Sequence, residues 1–234
     1  MDKLNSLKII GNGMITNGDY GKISIIGEAI ALEQIKCNYL KVVGNCTLKD
    51  EMISDRVKIL GELLCENYVI TNDELDILGN LRALNNYKVN KIKVTGEAKF
   101  EKSLLFEEVN VFGQLEVFKE CEGNTFNSRG QVKIDGLLTA ENIIINPNGI
   151  SIINEIGGSK IIIKKKGIFS FGESRVISNL IEGDYIELEN TECKIVRGHD
   201  ITIASNCKID KIEYTGSLSI NKSSIVGEEV CLKN

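Results

Sequence analysis

Proline occurs once, at Pro147, histidine occurs once, at His199, and tryptophan is absent. So little proline argues against rigid linkers between separate domains. A lone histidine, beside Asp200 and near Arg197, has no serine or cysteine set against it by a recognisable motif, and a surface-loop position is expected for it. The seven cysteines (Cys37, Cys46, Cys65, Cys121, Cys193, Cys207 and Cys231) are odd in number and contain no CxxC pair. That spacing suits neither a disulfide framework nor a zinc site, and small buried hydrophobes in a reducing compartment are expected instead.

Long apolar runs are missing too. Nothing approaches the ~18 consecutive apolar residues of a membrane span, and the opening MDKLNSLKII lacks the apolar core of a secretory signal. A soluble cytoplasmic protein without membrane insertion is expected. Positive charge is not in excess: the net charge is −5 and the pI about 5.2, so no nucleic-acid partner is expected. Gly157-Gly158-Ser159-Lys160 lacks the spacing of a phosphate-binding loop, and no calcium-binding glycine–aspartate repeat occurs. No cofactor, metal or catalytic residue is expected.

What the chain does contain is β-branched and aliphatic residues, 22 glycines, and a repeat. A unit of aliphatic, any, aliphatic, any, glycine reads LKIIG to Gly11, ISIIG to Gly27, LKVVG to Gly44 and VKILG to Gly61. It continues as LDILG to Gly79, IKVTG to Gly96, VNVFG to Gly113 and VKIDG to Gly136. Successive glycines stand 16, 17, 17, 18, 17, 17 and 23 residues apart. Alternation of period two marks a strand with one buried face. It resumes after the glycines, as at Cys46 and Leu48, and again eight and ten residues on, as at Ile35 and Cys37. Each repeat therefore holds three short strands and three corners. One such turn cannot bury its inward row alone, but stacked turns about 4.8 Å apart can. The expected fold is all-β, a right-handed parallel β-helix of about 17 residues per turn. The glycines are read as corners where the chain takes left-handed angles or passes close to a neighbour.

After Gly136 the rhythm loosens. Residues 1–140 are read as a regular solenoid and 186–234 as a second solenoid segment continuing the stack. Residues 141–185 are read as irregular turns or a junction, with Gly157-Gly158 and Lys164-Lys165-Lys166 breaking the pattern. Glu120–Arg129 is read as a loop insertion.

Along a strand, residues flanking the inward ones point outward. Three places before each glycine stand Lys8, Ser24, Lys41, Lys58, Asp76, Lys93, Asn110 and Lys133. One place after stand Asn12, Glu28, Asn45, Glu62, Asn80, Glu97, Gln114 and Leu137. Immediately before each glycine stand Ile10, Ile26, Val43, Leu60, Leu78, Thr95, Phe112 and Asp135. Six of these, Ile10, Ile26, Val43, Leu60, Leu78 and Phe112, form an apolar column too large to leave in water on a monomer. Either a second copy or another part of the chain covers it, or the glycine kink tucks it partly inward. Neither end reads as an amphipathic cap, which favours stacking of end rungs.

The glycine-ended units, LKVVG and VKILG among them, resemble the bactofilins, and most of all the polymer-forming cytoskeletal proteins of Firmicutes. The stretch Ile181 to Ile203 is similar to a segment of their longer members. The resemblance implies a β-helix that assembles with itself, without nucleotide, into a structural scaffold. It does not imply membrane attachment, and this chain departs from the usual pattern in its length and its irregularity after Gly136. The competing reading is a β-helix enzyme acting on carbohydrate or transferring acyl groups, with its cleft around Pro147 to Asp184. Hexapeptide-repeat acyltransferases need a six-residue period that is not present here, and pectate-lyase-like enzymes have longer turns and calcium.

Overall fold

The computed structural model describes residues 4–165 and 173–232. All twenty elements among them are β-strands, and the strands pair in parallel as a β-solenoid of about 13 turns and about 17 residues per turn. The chain divides into two compact units, residues 1–119 and 120–234.

The first unit holds β1 (Asn5–Ile15), β2 (Gly18–Ala31), β3 (Ile35–Val42), β4 (Asn45–Leu48), β5 (Met52–Ile59) and β6 (Glu62–Cys65). It continues with β7 (Val69–Ile77), β8 (Asn80–Ala83), β9 (Tyr87–Val94), β10 (Glu97–Phe100), β11 (Leu104–Val111) and β12 (Gln114–Val117). In the turn made by β3 and β4 the buried pairs are Ile35 and Cys37, Leu40 and Val42, and Cys46 and Leu48. The next turn repeats them as Met52 and Ser54, Val57 and Ile59, and Leu63 and Cys65. These are the three inward-facing strands per turn that the alternation predicts. The eight-residue strands run through one corner, where two outward residues in succession, such as Asn38 and Tyr39, switch the chain to the next face.

Stacking turns these pairs into ladders. Ile25 pairs with Val42, Val42 with Ile59, Ile59 with Ile77, Ile77 with Val94, and Val94 with Val111. All are buried, and each buried aliphatic side chain stabilises by roughly 1.5–3 kcal/mol. Inward polar side chains satisfy one another between rungs. Thr71 Oγ1 lies 2.9 Å from Tyr87 Oη and 3.5 Å from Ser54 Oγ, and the Tyr87 ring meets Phe100 edge-on at 5.6 Å.

The glycine corners have a more specific cause than the sequence suggests. Only Gly11 and Gly27 in the series have positive φ, at 82° and 132°. At Gly44, Gly61 and Gly79 a Cβ would overlap the carbonyl oxygen of the glycine one turn earlier. Close approach of stacked backbones, and not a left-handed turn, keeps side chains out of this column.

The second unit holds β13 (Cys121–Ser128), β14 (Gln131–Ile145), β15 (Ile150–Ile163), β16 (Arg175–Leu188), β17 (Thr191–Ile203), β18 (Lys208–Tyr214), β19 (Leu218–Ile220) and β20 (Ile225–Cys231). Three expectations change here. The stretch Glu120–Arg129 is no loop: Cys121, Phe126 and Ser128 are buried residues of β13. Gly136 is no corner of the recurring kind: Cys121 pairs with Leu138, so Gly136, two places earlier in β14, falls in line with Lys119 and not with Gly113. Gly130 occupies that place, 17 positions after Gly113, with buried Phe126 and Ser128 before it and buried Val132 and Ile134 after it. The polar Ser128 and Arg129 had hidden the unit from an aliphatic pattern.

The third change concerns residues 141–185, which are largely regular strand. Ile145 pairs with Ile163, Ile163 with Leu188, and Leu188 with Ile203. Residues 186–234 continue the same ladders, as expected of a segment that carries on the stack. Gly158, Gly183 and Gly198 align across β15, β16 and β17, and a Cβ on each would overlap the carbonyl oxygen one turn back. Gly158 thus belongs to a second glycine ladder, while Gly157 pairs with Glu182. Of the lysine run, Lys164 pairs with Glu187 at 2.6 Å, and Lys166 lies outside the described residues.

Candidate functional site

The outward column of the first unit follows from strand alternation. Ile10 pairs with Ile26, and the pairings on either side place Val43, Leu60, Leu78, Thr95 and Phe112 in the same register. Each follows a buried residue by one place, and each after Ile10 precedes a glycine whose backbone is pressed against the turn before. There is no room for the column to fold inward. Ile26, Val43, Leu60, Leu78 and Phe112 are 41–46% exposed and Ile10 is 69% exposed. Seven rungs at the inter-strand spacing make a strip ~29 Å long. The column is neither tucked in nor covered by other described residues.

Charge is graded across it. On the side preceding it in the chain, Lys58 Nζ donates to Asp76 Oδ2 at 2.7 Å, and that bond raises the lysine pKa. The Lys93 ammonium lies 5.9 Å from the centre of the Phe112 ring. On the following side Glu28, Asn45, Glu62, Asn80, Glu97 and Gln114 pair in succession. Glutamate alternates with amide, so like charges are never direct neighbours in this ladder. Lys133 and Leu137 leave both columns, because Gly136 is not a corner.

A second feature, in the second unit, is concave. A groove of about 800 Å³ is lined by Thr139, Gly157, Glu182, Arg197, His199 and Glu213, among others. Cross-strand pairing brings Glu182 beside Arg197 and Arg197 beside Glu213. Arg197 Nη1 donates to Glu182 Oε2 at 3.0 Å and Arg197 Nε to Glu213 Oε2 at 2.8 Å. Hydrogen bonds from Arg197 and then Lys211 hold the Glu213 carboxyl below its ordinary range, while Glu213 and Glu182 raise the arginine. A carboxylate held ionised in this way, as Glu213 is, is a poor general acid at neutral pH. His199 Nδ1 is engaged with Thr215 Oγ1 at 2.9 Å. The groove overlaps the region where the enzyme reading placed a cleft, but its carboxylates serve an ion-paired ladder.

Six of the seven thiols are buried, and Cys231 is exposed. Burial pushes Cys37, Cys46 and Cys193 up to about 12, and raises Cys65, Cys121 and Cys207 as well. A thiol so raised is neither nucleophile nor metal ligand at neutral pH. Among the described residues no group of three or more His, Cys, Asp or Glu side chains could hold a metal ion. No helix among them is long and apolar enough to cross a membrane.

Comparison with known proteins sets this surface in a lineage. The chain is 30% identical over 232 residues to a protein of Bacillus subtilis (strain 168) named Uncharacterized protein YhbF, covering 98% of each. It belongs to the YhbF family. A second Bacillus subtilis protein, Uncharacterized protein YhbE, is 37% identical over 100 residues, which cover 40% of this chain and 42% of that protein. No protein-family model matches, and no solved structure gives a significant match. In this YhbF-family chain, then, the candidate surface is argued from its own rungs.

Proposed function

We propose that this YhbF-family protein is a structural scaffold that assembles with copies of itself, without nucleotide, in the manner its resemblance to bactofilins implies. One observation carries the reading: an in-register apolar column ~29 Å long stands uncovered on the first unit, where water leaves it unfavourably solvated. At the other end of the chain Ile225 and Leu232 are exposed as well, on and just after β20. The inert thiols and the arginine-held carboxylates of the groove favour a structural role over an enzymatic one. We place the protein in the cytoplasm, where the free buried thiols stay reduced.

Sedimentation velocity over a concentration series tests this. The protein should form concentration-dependent assemblies, and the double variant Leu60→Lys, Leu78→Lys should shift them toward monomer with an unchanged β circular dichroism spectrum. A wild-type chain that stays monomeric at every concentration overturns the proposal.

A further inference from the structure

The flanks of the apolar column restrict how a second copy can sit on it. Over the seven rungs, the preceding flank carries Lys8, Lys41, Lys58 and Lys93 against a single acid, Asp76, a net of +3. The following flank carries Glu28, Glu62 and Glu97 and no lysine, a net of −3. The strip therefore has a net positive side and a net negative side, with Asp76 the one charge against that order.

Two copies can meet face to face about a two-fold axis in two ways. An axis across the column lays lysine flank on lysine flank and glutamate flank on glutamate flank. An axis along the stacking direction lays each lysine flank on the other copy's glutamate flank, at the same height. Lys58 then faces the partner's Glu62 and Lys93 faces the partner's Glu97. Asp76, the one acid of its flank, faces the partner's Asn80, so no rung sets like charges opposite each other.

We propose that this column is an isologous interface between two copies of the chain, related by a two-fold axis parallel to the stacking direction and therefore pointing the same way. The proposal rests on the self-assembly reading and adds its partner, face and polarity. Three columns two residues apart make a band ~13 Å wide and ~29 Å long, which covers on the order of 400 Å² per copy. That is about half the ~800 Å² per partner of a standard stable interface. The pair is consequently weak alone and gains strength where copies are concentrated or already stacked.

Cross-linking distinguishes the two axes. In a Cys231→Ser background, which removes the exposed thiol, Ile26→Cys and Thr95→Cys lie equally far from the middle rung at Leu60. With the parallel axis each variant alone gives a covalent dimer with a short bis-maleimide. With the crossed axis neither does alone, and only their mixture cross-links. Charge reversal supplies an independent arm. Lys93→Glu and Glu97→Lys should each weaken association ~10-fold, and the double variant should restore most of it. Under the crossed axis Glu97→Lys meets the partner's Glu28 and strengthens association instead. Cross-linking confined to the mixture, or a strengthened Glu97→Lys, overturns the parallel pair while leaving self-assembly standing. Assembly indifferent to Leu60→Lys, Leu78→Lys moves the interface off this column and overturns the proposal in the same way. A wild-type monomer at all concentrations overturns both readings.

Discussion

At the residue scale, two glycines of the same chain make opposite demands. A Cβ at Gly61 would overlap the Gly44 carbonyl oxygen, and that oxygen accepts the Glu62 backbone N–H at 2.9 Å. Gly61→Ala must therefore push two rungs apart, and should cost at least ~3 kcal/mol in a urea titration, the upper range of overpacking effects. A Cβ at Gly157 would meet only Leu137 Cδ1, at 3.8 Å. Gly157→Ala should change stability by less than ~1 kcal/mol, since surface substitutions without a steric cause are small. The cysteines give a second test. Six are buried and Cys231 is exposed, so a thiol reagent should titrate one group in the native protein and the other six only on unfolding.

At the element scale, long-range order resides in ladders that cross the strands, and the best-defined charged one joins β16, β17 and β18. Glu182, Arg197 and Glu213 come from three successive turns and meet only because the strands are in register. The Glu213 pKa is depressed on folding, so its pairing stabilises the fold above the ordinary glutamate pKa. The contribution disappears as pH falls through the lowered folded value. Glu213→Gln should lower the urea midpoint at pH 7, and the gap from wild type should close as pH falls below the ordinary glutamate range. Added salt should narrow the gap at pH 7, because the pair stands at the surface. The apolar column belongs to this scale as well: alternation within each strand turns its residues outward, and register makes them continuous.

At the scale of the whole molecule, a solenoid buries its inward row by adding turns, and nothing in that mechanism limits addition to one chain. The proposed self-association, through rungs or through the outer column, draws on the same hydrophobic driving force as the core and calls for no nucleotide. Purified protein without nucleotide should therefore show elongated assemblies by negative-stain microscopy, and added ATP or GTP should leave their length and number unchanged. Discrete particles of monomer size under the same conditions would count against a scaffold.

The period, the three inward pairs of each turn and the outward apolar column could all be read from the sequence of the first unit. Strand alternation is local, and turns of nearly constant length keep like positions in line, so each rung announces the next. Tertiary structure alone decided the rest. Gly130, not Gly136, continues the corners, because Ser128 and Arg129 replace aliphatic residues while VKIDG imitates the motif. Turn length then varies, from 15 residues between Leu188 and Ile203 to 25 between Ile163 and Leu188, so no fixed spacing could align Glu182 with Arg197 and Glu213. Which residues meet across turns depends on the accumulated length of the chain between them. A local pattern carries that information only while every turn is the same size.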